Sequence, residues 1–452
     1  MISALTVQEE ALLARALNAA RETRTLVMEP GARHDAARVF HADFTGSAIL
    51  VADERTYAAA GKDVRESFRA AGFACREPFL FGPEVWAEHS FADDLQAALG
   101  SVSGIPVAVG SGTINDLTKL AAHRLGRPYM CVATAASMDG YTAYGASITY
   151  RGSKQTVECP APRVVLADLE VIGRAPPEMN AAGYADLLAK GVAGADWILA
   201  EAAGEEAIDG AAWDTVQTFL PSWSEMPGGI ARADPGRLRR LTAGLMMTGF
   251  AIQASRSSRP ASGAEHQFSH LWDMQRETHD ASTPSHGFQV GIGTLASLGL
   301  YDVLLRTGMV EVVDLDAAAA AWPSLARTEA RIQSLFATGE LAAKALDETR
   351  AKHPTREALR VQLERLGNTW PEIRERLAGH LLPFQRAAAM LREAGCPTTP
   401  ERIGISSERL RASYEQAYYI RRRYTVLDFA MRLSIFHAAV SRLFGPAGFL
   451  VD

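Results

Sequence analysis

His266 and His270 stand four residues apart in the run SGAEHQFSHLW, residues 262–272. In a helix that spacing stacks both imidazoles on one face, and Ser262 followed by Glu265 predicts a capping box that opens the helix here. A third imidazole, His286, follows in Pro284-Ser285-His286-Gly287, and an acid, Asp186, stands far upstream in Ala182-Gly183-Tyr184-Ala185-Asp186-Leu187-Leu188. Imidazole nitrogen together with carboxylate oxygen suits a borderline-soft divalent cation, and a catalytic site needs only three protein ligands because the fourth position stays open. The spacing is not the HExxH of metalloproteases, because the acid precedes the first histidine, and Glu265 is better assigned to the cap. The bland alternative is a binding module whose histidines are merely packed. His123 and His279 have no comparable context and read as structural or surface residues.

A second candidate site lies nearer the N-terminus. An apolar stretch, residues 105–109, runs directly into Gly110-Ser111-Gly112-Thr113-Ile114, and helical spacing follows to Gly126. Strand, glycine turn and helix start together present backbone N–H groups and the positive end of a helix dipole to an anion such as a pyrophosphate. The same chemistry also makes an ordinary tight turn. The third glycine of GxGxxG is absent, and the acid closing a strand, Asp53, lies before the loop rather than about twenty residues after it. Asp53 could accept a ribose 2′-hydroxyl and disfavour a 2′-phosphate, or simply cap the next helix. Asp139, in Ser137-Met138-Asp139-Gly140, is by default a turn residue.

The elements that must position these groups divide into two textures. Short apolar strands at residues 47–53, 105–109, 129–133 and 164–167 alternate with helical stretches, including 57–71, which predicts a mostly parallel α/β sheet. The segment between the first helix and residue 47 reads as a loop rich in Arg, His and Pro. Beyond Pro176-Pro177 the chain turns to long Ala/Leu-rich amphipathic stretches. The expected organisation is therefore an α/β dinucleotide-binding domain over 1–175 and an all-α domain over 176–452. At 452 residues two cores are the default. A net charge of -6 argues against nucleic-acid and anionic-membrane partners. Cys75, Cys131, Cys159 and Cys396 are scattered without a CxxC pair, as in a reduced, cytoplasmic protein. Glu9 and Glu10 interrupt what a signal peptide would need, and no run looks long and apolar enough to span a bilayer.

Taken together, GSGTINDLTK, the segment TAASMDGYTAYGAS, AAGYADLLAK, SGAEHQFSHLW and HGFQVGIGT resemble the glycerol-1-phosphate dehydrogenases. These belong to the superfamily of iron-type alcohol dehydrogenases, glycerol dehydrogenase and 3-dehydroquinate synthase. The likeness spans roughly residues 45–300 in order, and IRRRYTVLDFA near residues 420–430 is similar to the end of the bacterial members. The resemblance implies the superfamily fold, with an active site in a cleft between a nucleotide domain and a helical domain. It implies that Gly110, Ser111, Gly112, Thr113 and Ile114, with Thr134, Ala135, Ala136 and Ser137, touch NAD(P), and that Asp53 meets the adenosine ribose. It further implies that Asp186, His266 and His286 hold a divalent metal, zinc or nickel with iron(II) as a further option, while Asp139 and His270 contact substrate. Ala143 stands where the family tends to carry serine, near the cofactor.

The reaction so implied interconverts dihydroxyacetone phosphate and sn-glycerol 1-phosphate in a homodimer. A polyol dehydrogenase or a 3-dehydroquinate synthase-like enzyme is the alternative, although the synthase would call for cations near the metal and SGAEHQFSHLW carries none. For the substrate phosphate, Lys154 and Arg259 are unranked candidates.

Overall fold

The computed structural model describes residues 5–150, 153–279, 283–336 and 338–445. Its strands are β1 (Thr25–Glu29), β2 (Ala48–Asp53), β3 (Phe79–Phe81), β4 (Ile105–Gly110), β5 (Met130–Ala133), β6 (Ala146–Tyr150), β7 (Ser153–Val157) and β8 (Val164–Asp168). Six of them form one parallel sheet in the order β1-β8-β5-β4-β2-β3, and β6 and β7 make a separate antiparallel pair. The central strands AILVAD, IPVAVG, MCVA and VVLAD are buried almost throughout. Continuous apolar runs of this kind are what a sheet covered on both faces requires. The chain steps outward from β2 to β3 and then returns to β4 on the other side of β2. That reversal opens a crevice at the carboxyl ends of β2 and β4, the usual ligand position in open α/β sheets. Since Val51 pairs with Ala108, Asp53 and Gly110 end side by side on that edge.

Three strand features were not expected. β1, read as loop, pairs along its length with β8 at the edge of the sheet; β3 adds three residues beside β2; and β6 and β7 pair antiparallel. Each is short and peripheral, so its partner supplies the order that a five-residue pattern cannot announce. The helix expected at 57–71 begins earlier, at Glu54, and widens to a π-turn over Tyr57–Gly61 before continuing as Lys62–Ala70.

Contacts group the chain into two compact units. The first comprises Met1–Leu187, Ala211–Ser258 and Glu393–Gly395, and contains the sheet. Within it, helix Pro177–Leu188 packs directly on the segment after β5. A Cβ built on Gly183 would stand 1.8 Å from the Ala136 carbonyl oxygen, a distance only a hydrogen can occupy. The second unit comprises Leu188–Gly210, Arg259–Arg392 and Cys396–Asp452 and is helical among its described residues. At its centre runs helix His286–Arg306, contacted by helices Ala264–Met274, Val426–Arg432 and Phe436–Leu443. Contrary to the expectation from sequence, this 21-residue helix is long and apolar enough to pass as a membrane span on length and composition. Almost all of that window is buried in the protein itself, as in a core helix.

Gly183→Ala should lower unfolding stability by about 2–3 kcal/mol, because the new methyl meets backbone rather than a movable side chain. Chemical denaturation checks this, and a change below about 0.5 kcal/mol would contradict the close approach.

Candidate functional site

Helix Ala264–Met274 carries His266 and His270, and helix His286–Arg306 begins with His286. The two helices lie so close that a Cβ on Gly293 would sit 2.4 Å from the Glu265 carbonyl oxygen. This contact brings the three imidazoles together: ring centroids are 5.3 Å apart for His266 and His286, 6.1 Å for His266 and His270, and 6.2 Å for His270 and His286. Of the three rings, His266 and His286 are the closest pair. Asp186, in the sheet-bearing unit, is fully buried in the last turn of Pro177–Leu188.

The second ring nitrogens explain how the imidazoles are oriented. His266 Nδ1 lies 2.8 Å from Glu265 Oε1, so it carries the proton and donates to the carboxylate. Ser269 Oγ donates to Gln289 Oε1 at 3.0 Å and has one hydrogen, so at 3.1 Å it accepts from His286 Nδ1. These partners favour the Nδ1–H tautomer for both rings, which makes Nε2 the nitrogen able to bind a cation. A partner of this kind is what sets ring orientation and basicity in a metal-binding histidine. The Asp186 carboxylate is held in turn by the backbone N–H of Asp139, which donates to Oδ2 at 3.1 Å.

The expected capping box at Ser262 does not form. The helix starts at Ala264 with Gly263 as its cap, and Ser262 Oγ accepts from Arg421 instead. Glu265 reaches back to the Gly263 N–H at 2.6 Å while also engaging His266, so one carboxylate serves helix start and imidazole. Beneath it Asp196, fully buried, accepts from Ala264 N at 2.6 Å, Tyr301 Oη at 2.6 Å and Val426 N at 2.8 Å. Burial, then the nearby Glu265 charge, push the Asp196 carboxyl up to about 7.

In the sheet-bearing unit, Gly110 closes β4, and helix Gly112–Arg124 follows with Ser111 as its cap and no side chain bonded into the first turn. Its leading N–H groups face the carboxyl edge of the sheet, the geometry that receives a phosphate. Thr113 and Ile114 lie in that first turn. Thr134, Ala135, Ala136 and Ser137 follow β5 and are pinned by Asn180, which accepts from Ala136 N at 3.0 Å, and by Tyr141, which donates to the Ala135 carbonyl at 2.7 Å. Asp53 caps the turn Glu54–Thr56, accepting from Thr56 N at 2.8 Å, so its capping reading holds and occupies one carboxylate oxygen. The turn bearing Asp139 rests on buried Lys119, whose Nζ donates to the carbonyls of Gly140, Ala143 and Gly145 at 3.1, 3.0 and 2.8 Å. Ala143 contributes a carbonyl there and no hydroxyl. Arg259, one of the two phosphate candidates, is buried and donates to the carbonyls of Tyr424 and Asp196.

Reasoning from sequence missed Ser269, Gln289, Asn180 and Lys119. Ser269, Gln289 and Lys119 stood inside SGAEHQFSHLW, HGFQVGIGT and GSGTINDLTK, but nothing in those motifs named their partners; Asn180 stood in none of them.

Residues 27–176 match the family described as iron-containing alcohol dehydrogenase. A glycerol-1-phosphate dehydrogenase (NAD(P)+) from Halalkalibacterium halodurans is 35% identical over 56% of this chain, and the match spans just under two thirds, 64%, of that protein. Another, from Methanothermobacter thermautotrophicus, is 32% identical over 62% of this chain and 78% of the relative. The chain belongs to the glycerol-1-phosphate dehydrogenase family. That family's name is one of NAD(P)-dependent oxidoreductases. The crystal structure of glycerol dehydrogenase from Schizosaccharomyces pombe is similar at TM-score 0.59 and 16% identity, covering 93% of this chain and 90% of that one, which shows the shared fold.

Ser269→Ala should leave the fold intact and weaken divalent-metal affinity about 10- to 100-fold, because the His286 ring loses the group that holds its tautomer. Competition against a fluorescent chelator reads this, and unchanged affinity would exclude Ser269 from the orienting role.

Proposed function

We propose that this family member is a metal-dependent NAD(P)H oxidoreductase interconverting dihydroxyacetone phosphate and sn-glycerol 1-phosphate. The observation that carries the reading is the pairing of the His266 and His286 rings, 5.3 Å apart with both Nδ1 atoms engaged, and in this reading Asp186 is the third ligand. Two nitrogens and one carboxylate oxygen suit zinc or nickel, and iron(II) is compatible with the same donors. When bound, the cation supplies electrophilic polarisation of a carbonyl, and the dinucleotide supplies the hydride.

The chain's own residues do the rest. The helix start at Gly112 and the segment 134–137 bind and orient the dinucleotide, and Asp53 at the neighbouring strand end meets its ribose. His270, one turn along from His266, orients substrate and delivers a proton to the substrate's central oxygen as hydride arrives. Asp139 accepts from a terminal hydroxyl. In this reading residues 1–175 serve the nucleotide, and residues 176–452 carry the metal and most of the substrate site. Four free cysteines fit a reducing compartment, and the reading places a homodimer in the cytoplasm acting on a small phosphorylated substrate rather than on nucleic acid or membrane.

Two measurements test this. Purified protein should oxidise NADH or NADPH with dihydroxyacetone phosphate, lose the activity on exhaustive chelation, and regain it with zinc, nickel or iron(II). Full activity in a metal-free sample, or in His266→Ala, would remove the metal from the mechanism. Asp53→Ser should shift the ratio of kcat/KM for NADPH over NADH upward by about tenfold, since one carboxylate no longer repels a 2′-phosphate. An unchanged ratio assigns Asp53 to helix capping alone.

A further inference from the structure

The last turns of helix His286–Arg306 wall a cavity of about 270 Å³. Leu298, Tyr301 and Asp302 are buried in its wall, while Arg306, Arg374 and Leu382 stand exposed at its rim. All six belong to the helical unit. Asp302 follows His286 by sixteen residues, about 24 Å along the axis at 1.5 Å per residue, so a molecule small enough for this cavity does not reach the histidine rings. Inside the wall the polar group is the Asp302 carboxylate. Its Oδ1 pairs with Arg306 Nε at 3.3 Å and the Phe384 N–H also acts on it, whereas Oδ2 is enclosed and accepts no hydrogen bond among the described residues. Burial outweighs both partners and raises the Asp302 carboxyl above its ordinary range. The other polar groups nearby are committed. Tyr301 Oη donates to Asp196 at 2.6 Å, and Arg374 donates from Nε to the Leu305 carbonyl at 3.1 Å and pairs through Nη1 with Glu311 at 3.2 Å. An acceptor kept from water with no donor is costly, so an entering group that donates to Asp302 is favoured.

We propose that this cavity is a binding site for a small neutral molecule with a compact apolar body and one hydroxyl group, the hydroxyl donating to Asp302. Size and lining set the body. An apolar cavity of about 150 Å³ takes benzene, so this one holds a ring with a short polar arm, and Leu298 and Tyr301 offer the apolar surface such a ring needs. Charge sets the polar arm. Arg306 already faces the carboxylate and Arg374 stands at the rim, so an ammonium would meet two guanidinium groups, and an anion would meet Asp302 itself. A hydroxyl meets neither penalty. The last torsion of an aspartate is broad, so a modest turn of the carboxylate brings Oδ2 to the entering donor.

The test uses the full-length protein and benzyl alcohol as the probe, read by isothermal titration and ligand-observed NMR, with toluene and benzylamine as comparisons. Benzyl alcohol should bind one-to-one with a Kd at or below about 1 mM, the range open to so few non-hydrogen atoms in a well-fitted cavity. Toluene and benzylamine should each bind at least about tenfold more weakly, tenfold being the worth of one hydrogen bond. Ala378→Phe, at an exposed position of the same wall, should abolish binding and keep the circular dichroism of the parent. Asp302→Leu should weaken benzyl alcohol at least about tenfold and leave toluene unchanged; if that variant does not fold, the three probes on the parent decide. No saturable binding up to about 10 mM means that the cavity holds water alone, and overturns the proposal. Toluene binding as tightly as benzyl alcohol, benzylamine binding more tightly, or binding that survives Ala378→Phe overturns it as well.

Discussion

The contact between helices Ala264–Met274 and His286–Arg306 is the constraint from which the histidine cluster follows. Gly293 lets one helix backbone lie against the Glu265 carbonyl of the other, and only at that separation do the His266 and His286 rings come within 5.3 Å. Ser269 bridges the same interface, tying His286 to Gln289. Helix packing and imidazole orientation are therefore one arrangement, since the residues that close the interface also choose which ring nitrogen carries the proton.

That arrangement is anchored in buried charge. Asp196 holds the first N–H of the histidine helix and the first N–H of helix Val426–Arg432, and a Tyr301 hydroxyl completes its shell. Removing a carboxylate from water is costly unless its oxygens are hydrogen-bonded, and here the donors are the helix starts that need acceptors. Glu265 extends the network to His266. The His266 ring thus stands on interlocked acids, with arginines 259, 421 and 423 around the same helix start.

The sheet-bearing unit uses a comparable device at its loop edge. Lys119 gathers three carbonyls of the turn after Asp139, and Asn180 fixes the segment after β5. The Asp139 N–H then holds the Asp186 carboxylate. Irregular backbone at a functional edge keeps its shape when its polar groups are satisfied from below by buried side chains.

What the amino-acid order determined alone was local and periodic. Apolar runs at β2, β4, β5 and β8 marked the parallel sheet because two-sided burial leaves no room for polar alternation. The i, i+4 histidines and the strand-GSGT-helix run marked two places where chemistry could occur, and the family resemblance joined them into one reading. Edge strands β1 and β3 were not legible, since a partner strand rather than their own pattern creates them. Tertiary structure alone decided the hydrogen-bond partners: Ser262 yields its capping role to Arg421, Ser269 selects the tautomer of His286, and Arg421 and Arg423 arrive from about 160 residues away. Hydrogen bonds and ion pairs act over a few ångströms of space irrespective of separation along the chain, so no spacing rule in the sequence announces them.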